Sequence, residues 1–292
     1  MNVPPSTPVV LALDFGGTKT ALTVADQHGA RLHDLTVETA AEHGARAGLE
    51  RAMSAARSLL DGREPVAVGV STIGIPGDDG VALAPNIPGW EELALGHELA
   101  LEFPESELRL ATDVKAAARY ECDAGALKGC DPGLYVNLGT GLAVAIVAGG
   151  TVMTGRHGAS GEIGYNLRRV ADVGRGSGDR IPLEGVVSGK ALSRAARANG
   201  STELTEHIGE FIGEFIDELA FHLVNLAIAV DPQRIAVGGG MVRSWAALHA
   251  PLRTALDAAV PYPPQLVPAA HPYDAPLLGA LALAVEAART GT

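Results

Sequence analysis

The chain has 292 residues, of which 47% are hydrophobic and 19% charged, and this composition excludes a disordered acidic protein. It carries 34 acidic against 22 basic side chains, a formal net charge of −12, which argues against nucleic acid as a partner because a phosphate backbone is bound by a basic face. No apolar run reaches the length of about 18 residues that a membrane span needs, so we expect no membrane partner either.

The first half of the chain alternates short apolar runs with helical patterns. Apolar runs at 9–13, 21–25 and 32–37 predict three strands, and a Gly-Gly turn between the first two predicts a hairpin. The remaining predicted elements of this half are a helix at 42–60, a strand at 66–70, a Pro- and Gly-rich loop at 74–89, a helix at 91–102, a strand at 108–111 and a helix at 114–127.

The second half begins in the same way as the first. Strands are predicted at 134–138 and 142–147, again joined by a short glycine turn, so strand, glycine turn and strand occur twice in the chain. The remaining predicted elements are an exposed loop at 167–182, helices at 186–198 and 205–230, a strand at 235–237, a helical pattern from 242 and an apolar helix at 276–288. Strands that alternate with helices predict an α/β fold.

The N-terminus and the cysteines indicate the compartment. The first ten residues contain no Lys or Arg and lack the pattern of a secretion signal, which predicts a cytoplasmic protein. Two cysteines, Cys122 and Cys130, are too few for a disulfide framework or a four-thiolate zinc site. We therefore interpret both as free thiols.

The first hairpin turn, which runs from Asp14 to Lys19, combines a carboxylate, two glycines, a hydroxyl and an ammonium group. Glycines allow backbone amides to approach phosphate oxygens closely, and a carboxylate beside them can hold Mg²⁺. The spacing is not that of a Walker loop. For this segment alone, a plain hairpin turn is an equally good explanation.

Two further glycine turns follow predicted strands. Gly139-Thr140-Gly141 has the character of the first turn, and two such turns can hold a polyphosphate from both sides. Gly238-Gly239-Gly240 lies between a strand and a helix, where close backbone approach suits the sugar or base of a nucleotide. Each turn is a weak signal alone, but the three together at strand ends predict a nucleotide site.

Six segments of the chain resemble the ROK family of sugar kinases, within the actin-like, hexokinase-like ATPase superfamily. They are LALDFGGTKTALTV, TDVKAAARYE, VNLGTGLAVAIVAGG, GASGEIGYN, LEGVVSGKAL and AVGGGMV. The resemblance implies two ribonuclease-H-like α/β lobes around a central cleft. The small lobe is expected to comprise 1–113 with 275–292, and the large lobe 114–274.

The resemblance also implies ATP and Mg²⁺ as cofactors and assigns residues to them. Those expected to bind the nucleotide are Asp14, Gly16, Gly17, Thr18, Lys19, Gly139, Thr140, Gly141, Gly238, Gly239 and Gly240. The last three are expected near the adenosine and the others near the phosphates. Asp14 is the residue expected near Mg²⁺.

On the sugar side, the resemblance implies that Asp113 is the general base for the sugar hydroxyl. The alternative is that Asp113 only caps the helix that follows it, and the two roles are compatible. Glu162 and Glu184 match carboxylates that hold sugar hydroxyls, a task suited to their several acceptor positions. Asn86 falls in a sugar-side loop, whereas we interpret the nearby Trp90 as a packing residue.

Three positions depart from the family pattern. Thr112 and Lys115 stand where asparagines are common, and Tyr165 takes the place of a zinc-binding His. Between Arg168 and Pro182 the chain has no Cys or His, so the zinc ligands of many relatives are missing and we predict no structural zinc. Since Thr112 and Tyr165 belong to the expected rim of the sugar site, we also expect an altered substrate preference.

The predicted function is ATP-dependent phosphorylation of the 6-hydroxyl of a glucose-type sugar, with an amino sugar such as kanosamine as a candidate. A polyphosphate-using glucokinase, a non-catalytic sugar-binding protein and a sugar-sensing regulator are the alternatives. The regulator is disfavoured because few residues precede the first predicted strand and the net charge is acidic. A sugar and a nucleotide are the expected partners, and a homodimer is the expected assembly.

Overall fold

A computed structural model of the chain describes residues 7–198 and 208–290. The chain divides into two compact units, which we call unit one and unit two. Unit one comprises Met1–Tyr120 and Asp274–Thr292, and unit two comprises Glu121–Tyr273. The predicted lobe boundary after residue 113 therefore falls inside unit one, at the start of a helix.

The strands and helices follow one another in an alternating order. The strands are β1 (Val9–Phe15), β2 (Lys19–Asp26), β3 (Arg31–Glu38), β4 (Pro65–Thr72), β5 (Ile75–Pro76), β6 (Val81–Ala82), β7 (Glu107–Thr112), β8 (Gly133–Leu138), β9 (Leu142–Ala148), β10 (Thr151–Val152), β11 (Arg234–Gly238) and β12 (Gln265–Pro268). The helices are α1 (Gly44–Leu60), α2 (Leu95–Glu102), α3 (Asp113–Ala124), α4 (Gly189–Ala198), α5 (Ile208–Val230), α6 (Trp245–Ala259) and α7 (Ala275–Thr290).

Each unit contains a five-stranded sheet, and the two sheets have the same strand order. In unit one the order is β3-β2-β1-β4-β7, and in unit two it is β10-β9-β8-β11-β12. In both sheets the first three strands form an antiparallel meander, β1–β2–β3 in unit one and β8–β9–β10 in unit two. The other two strands run parallel to the first strand of the meander: β4 and β7 to β1, and β11 and β12 to β8. The predicted α/β fold and the repeated hairpin are thus confirmed.

The sheet of unit one is covered on both faces, and the first five residues of β1 are accordingly all apolar and buried. Successive side chains of a strand point to opposite faces. Leu11 and Leu13 therefore pack in the cluster that includes α1, whereas Val10 and Ala12 pack in the cluster formed with α7. The approach of α7 to β4 is very close, since a Cβ at Gly69 would lie 1.9 Å from the carbonyl oxygen of Ala280.

The core of unit two is formed by its sheet with α5 and α6. Both helices present one residue per turn to the sheet: Phe215, Leu219 and Leu223 from α5, and Leu248, Leu252 and Leu256 from α6. This i, i+4 spacing is typical of a helix with one buried face. Although α5 is the longest described helix, with 23 residues, no helix in the described part of the chain has the length and apolarity to cross a membrane.

Some element bounds differ from the predicted ones. Helix α2 begins at Leu95 rather than at residue 91, because residues 90–94 form turns that bury Trp90 and Leu93. The predicted loop at 74–89 contains the two-stranded ribbon β5–β6. Strand β12 was not predicted, since four residues beside a proline cluster give no periodic signal. Residues 205–207 of the predicted helix lie outside the described residues.

Candidate functional site

In unit one, three parallel strands end at the same edge of the sheet. The register pairs Phe15 of β1 with Thr72 of β4, and Thr72 with Thr112 of β7. Asp14, near the end of β1, and Asp113, directly after β7, are therefore brought to one edge. This carboxyl edge is where open α/β sheets bind their ligands.

Asp14 is a half-buried carboxylate with an unusual proton affinity. Burial raises the pKa of Asp14 to about 7, and the nearby charges of Asp113 and Asp274 act in the same direction. A hydrogen bond from Ser71 Oγ, 2.7 Å from Oδ1, and the charge of Lys19 oppose that rise in pKa. A cation at this edge would stabilise the ionised carboxylate.

The chemistry of this edge fits Mg²⁺ bound together with phosphate. Among the described residues, no group of three or more His, Cys, Asp or Glu side chains is arranged to hold a metal ion. Mg²⁺ is usually bound by one or two carboxylates, with phosphate oxygens and waters as its other ligands. One carboxylate at a glycine turn therefore suits this ion better than a site made of protein ligands alone.

The β1–β2 turn is held by one hydrogen bond within its backbone and by one from a side chain outside the turn. The N–H of Gly16 donates to the carbonyl of Lys19 at 3.0 Å, and Thr39 Oγ1 donates to the carbonyl of Gly16 at 2.7 Å. A Cβ at Gly16 would lie 2.8 Å from the Lys19 oxygen, whereas one at Gly17 would meet nothing within 4 Å. Gly16 thus shapes the turn, and Gly17 keeps space beside it.

Thr112, rather than Asp113, caps helix α3. The Thr112 hydroxyl accepts the backbone N–H of Lys115 at 3.3 Å, the bond expected of an N-cap residue, and Thr112 is only 4% exposed. Asp113 is half-buried, and its Oδ1 accepts the N–H of Val114 at 2.8 Å. The helix thus has a cap that does not depend on Asp113, and Thr112 presents almost no surface to a ligand.

Asn86 and Trp90 lie in the same loop but differ in exposure. Asn86 is exposed, in the turn between β6 and α2. Trp90 is 1% exposed, its indole N–H donates to Thr72 Oγ1 at 3.2 Å, and its ring centroid lies 5.4 Å from that of Phe15. The interpretation of Trp90 as a packing residue is confirmed.

In unit two, the β8–β9 turn takes the place that the β1–β2 turn has in unit one. The N–H of Gly139 donates to the carbonyl of Gly141 at 3.1 Å, and the carbonyls of Gly139 and Thr140 accept N–H groups from the start of α4. Asn137 stands two residues before the first glycine, as Asp14 does in the other turn. The sequence analysis missed Asn137, although aligning the two turns would have found it.

The triple-glycine turn adjoins the β8–β9 turn within unit two, because Gly238 is the register partner of Asn137. A Cβ at Gly238 would lie 2.0 Å from the Tyr135 hydroxyl oxygen, and one at Gly239 would lie 2.5 Å from the backbone of Leu138. Gly239 also has a positive φ of 88°. Only glycine fits at these two positions, and Gly240 has open space beside it.

Glu184 lies against the β8–β9 turn. Its Oε2 accepts the N–H of Leu142 at 2.9 Å and would lie 2.5 Å from a Cβ at Gly141. A Cβ at Gly164 would lie 3.2 Å from the Cβ of Glu184. The structure therefore brings Glu184 beside the segment that contains Glu162.

Glu162 precedes a short 3₁₀ turn that packs on β9, and Tyr165 is the last residue of that turn. A Cβ at Gly161 would lie 1.7 Å from the carbonyl oxygen of Val144, so this segment meets the strand backbone to backbone. Glu162 is half-buried, and Tyr165 is 38% exposed. Both are thus held at the sheet with part of their surface open.

The segment at 167–182, predicted as an exposed loop, is only partly exposed. The side chain of Arg168 is 5% exposed and lies 2.8 Å from both Glu214 and Glu218 of α5. Arg180 donates to the carbonyl of Tyr165 at 2.9 Å. The prediction was wrong for Arg168, because its two acidic partners lie on a helix distant in sequence.

Two α/β units with sheets of equal order and a glycine turn in each first hairpin define the actin-like ATPase fold. A model of the ROK family matches residues 10–287. The chain therefore belongs to the ROK family, and the resemblance noted in the sequence is confirmed.

Three relatives show how similar the chain is to characterised members. It is 30% identical over 249 residues to a kanosamine kinase of Amycolatopsis mediterranei, covering 80% of this chain and 81% of that protein. It is 26% identical over 272 residues to a glucokinase of Thermotoga maritima, covering 84% and 86%. A solved ROK family glucokinase from Streptomyces griseus, in complex with glucose and AMPPNP, superposes with a TM-score of 0.77 at 27% identity, covering 95% and 99%.

Proposed function

We propose that the protein is an ATP- and Mg²⁺-dependent sugar kinase that phosphorylates the 6-hydroxyl of a glucose-type sugar. One observation carries the proposal: Asp14 and Asp113 lie at one sheet edge beside a glycine turn and interact electrostatically. Phosphoryl transfer needs an acceptor for the hydroxyl proton and a group that holds Mg²⁺. Similarity to a glucokinase solved with AMPPNP supports ATP as the donor.

In this reaction Asp113 accepts the proton of the sugar 6-hydroxyl while that oxygen bonds to the γ-phosphorus. The bond between the γ-phosphorus and the bridging oxygen breaks, and ADP leaves. Asp14 would hold Mg²⁺ together with phosphate oxygens, and the ion would supply neutralisation of charge on the phosphates. The Thr112 cap supports this role, because it fixes the helix start that carries Asp113.

The backbone geometry narrows which amides serve the nucleotide. The N–H groups of Gly16, Gly139 and Gly239 already donate to protein carbonyls. We therefore assign the phosphates to the amides and side chains of Gly17, Thr18, Lys19, Thr140 and Gly141, and the adenosine to the space beside Gly240.

For the sugar we assign Glu162 and Glu184 as acceptors of its hydroxyls, with Tyr165 and Asn86 at the rim. The bond from Leu142 to Glu184 supports this assignment, since a carboxylate fixed in advance loses little freedom when it binds. Thr112 acts through α3 rather than on the sugar, because it is buried. The absence of the Asn that is common at this position in the family relaxes the demand for a hydroxyl group on the sugar.

An amino sugar is the more specific candidate substrate. The kanosamine kinase of Amycolatopsis mediterranei, at 30% identity, acts on a 3-amino sugar and supports it. The carboxylates assigned to the sugar hydroxyls, Glu162 and Glu184, would favour a protonated amine over a neutral hydroxyl. We accordingly propose kanosamine and glucose as the two sugars to compare first.

The test is a matrix of donors and acceptors. ATP, GTP and polyphosphate are combined with glucose, kanosamine, glucosamine, mannose and N-acetylated hexosamines, and kcat/KM is measured for each pair. We expect ATP to be the best donor, glucose or kanosamine the best acceptor, and ³¹P–¹H correlation to place the phosphate on O6. If phosphate is transferred to none of the sugars, the kinase proposal is contradicted. A preference for an N-acetylated sugar contradicts the proposed acceptor, and a preference for polyphosphate contradicts ATP as the donor.

A further inference from the structure

Glu121 is a fully buried carboxylate near the end of α3 that the proposed reaction does not use. Its Oε2 accepts the N–H of Ala126 at 2.6 Å and that of Ala270 at 3.0 Å, and its Oε1 accepts the N–H of His271 at 2.8 Å. A Cβ at Gly125 would lie 2.2 Å from Oε2. The carboxylate thus fills a site shaped for it, with three backbone donors directed at it.

Two of these donors belong to the segment 269–273, which we call the β12–α7 loop. The same loop contacts the triple-glycine turn. The carbonyl of Pro272 accepts the N–H of Gly239 at 2.8 Å. The guanidinium carbon of Arg243, which follows that turn, lies 4.9 Å from the centroid of the Tyr273 ring, a cation–π distance. One loop is therefore attached to Glu121 at its start and to the triple-glycine turn at its end.

We propose that Glu121 is a positioning residue for the nucleotide, acting through the β12–α7 loop on the triple-glycine turn. The inference rests on the proposed function, in which this turn adjoins the adenosine. Gly239 lies against the backbone of Leu138 and has a positive φ, so the turn has little room to adapt. If the Pro272 carbonyl moves, Gly239 therefore moves with it, and so do the nucleotide contacts beside Gly239.

Glutamine is the informative replacement at this position because it keeps the size of the side chain. A carboxylate offers two acceptor oxygens, whereas the amide of glutamine offers one oxygen and an NH₂ donor group. In Glu121→Gln the NH₂ group takes the place of one carboxylate oxygen and therefore faces at least one backbone N–H donor of the loop. That donor loses its acceptor, whichever oxygen is replaced. The start of the loop has to move in either case, and charge-assisted hydrogen bonds are lost.

The experiment compares Glu121→Gln with the native protein in steady-state kinetics and in calorimetric titration with AMPPNP. We expect the KM for ATP and the Kd for AMPPNP to rise about 5- to 50-fold, the range that follows from losing charge-assisted hydrogen bonds. The KM for the sugar should stay within about twofold, because the proposed effect of the loop is on the triple-glycine turn and not on the sugar carboxylates. An unchanged Kd for AMPPNP, or an equal rise in both KM values, overturns the proposal.

Asp131→Asn is the matched control. Asp131 Oδ1 accepts the N–H of Gly149 at 2.7 Å, so this variant also weakens a bond from carboxylate to backbone in unit two. Asp131 precedes β8, whereas the β8–β9 turn follows that strand. We expect the Kd for AMPPNP to be unchanged in Asp131→Asn, and a rise equal to that of Glu121→Gln contradicts a specific role for Glu121.

A second variant tests the other end of the loop without disturbing a buried group. Tyr273 is 46% exposed, so Tyr273→Leu is compatible with the fold and removes the ring beside Arg243. If Glu121→Gln does not fold, a weaker AMPPNP affinity in Tyr273→Leu supports the proposal and an unchanged affinity overturns it. A native protein that binds no AMPPNP overturns the proposed function as well, whereas native binding with unaffected variants overturns this inference alone.

Discussion

The β1–β2 turn of unit one and the β8–β9 turn of unit two occupy the same place in sheets of the same order, yet they differ in charge. Unit one has Asp14 two residues before the first glycine, and unit two has Asn137. Asp14 experiences the charges of Asp113 and Asp274, whereas Asn137 Oδ1 would lie 2.7 Å from a Cβ at Gly239. One backbone arrangement is thus used twice, with a charged carboxylate in one copy and a neutral packing group in the other.

The largest effect is expected from removing Asp113, the proposed base beside the charged turn. Asp113→Asn should lower kcat by about 10²–10⁴-fold, the contribution typical of a general base, while sugar affinity is kept. Folding should be unaffected because Thr112 caps the helix. Asp123→Asn, on the same helix, serves as the control with native turnover. Native kcat in Asp113→Asn would exclude this residue as the base.

Exchanging the side chains at positions 14 and 137, by which the two turns differ in charge, should have the next largest effect. Asp14→Asn, which gives the first turn the side chain of the second, should lower kcat/KM about 10²–10³-fold by weakening Mg²⁺-dependent charge stabilisation. The reciprocal Asn137→Asp should raise the KM for ATP about tenfold or more, because like charges repel. Kinetics at several Mg²⁺ concentrations check both variants. Equal, small effects would show that the charge difference does not serve the nucleotide.

The raised pKa of Asp14 predicts a pH-dependent stability that the neutral turn does not share. Burial raises the pKa of Asp14 from its ordinary value of 3.8 to about 7, so the folded state binds more protons than the unfolded state between these pH values. Stability contributed by this group is therefore complete below the lower value and is lost as pH rises through 7. Lys19, Ser71, Asp113 and Asp274 are the groups that act on it.

Thermal unfolding without Mg²⁺ and nucleotide measures this effect. The difference in Tm between Asp14→Asn and the native protein should be several degrees larger at pH 8 than at pH 4, because the native side chain carries a buried charge at pH 8 that it lacks at pH 4. An equal difference in Tm at both pH values would contradict the conclusion that burial raises the pKa of Asp14.

The smallest effect is expected from zinc removal. The family resemblance implies a zinc-binding His where this chain has Tyr165, and here Arg168 and Arg180 hold the segment at 167–182. After exhaustive treatment with a zinc chelator and resupply of Mg²⁺, turnover should stay within about twofold of the untreated value, unlike that of a zinc-dependent fold. Stoichiometric zinc in metal analysis of the pure protein would contradict this prediction.

The fold was predictable wherever the pattern was local. Strand β1 is buried on both faces, so its apolar run is continuous and readable. Strand β12 has only four residues, and its place in the sheet comes from its pairing with β11. No periodic pattern of apolar residues in the sequence indicates this pairing. Helix α3 was predicted too long, because Gly125 ends it beside the carboxylate of Glu121.

The candidate site divides in the same way. Asp14 and the glycine turns were predictable because their chemistry lies within a few consecutive residues. The partner of Asp14, Ser71, is 57 residues away, and the partners of Glu121 on the β12–α7 loop are 149 and 150 residues away. Such contacts depend on strand register and loop packing, which one sequence does not display.

The contact between α7 and β4 has a consequence for how the protein is made. Unit one needs α7 to cover a sheet face that includes Gly69, yet α7 follows the whole of unit two in the chain. Unit two, from Glu121 to Tyr273, is contiguous and is synthesised before α7. We therefore expect unit two to complete its fold on the ribosome before unit one does, because the sheet face of unit one stays uncovered until α7 is made.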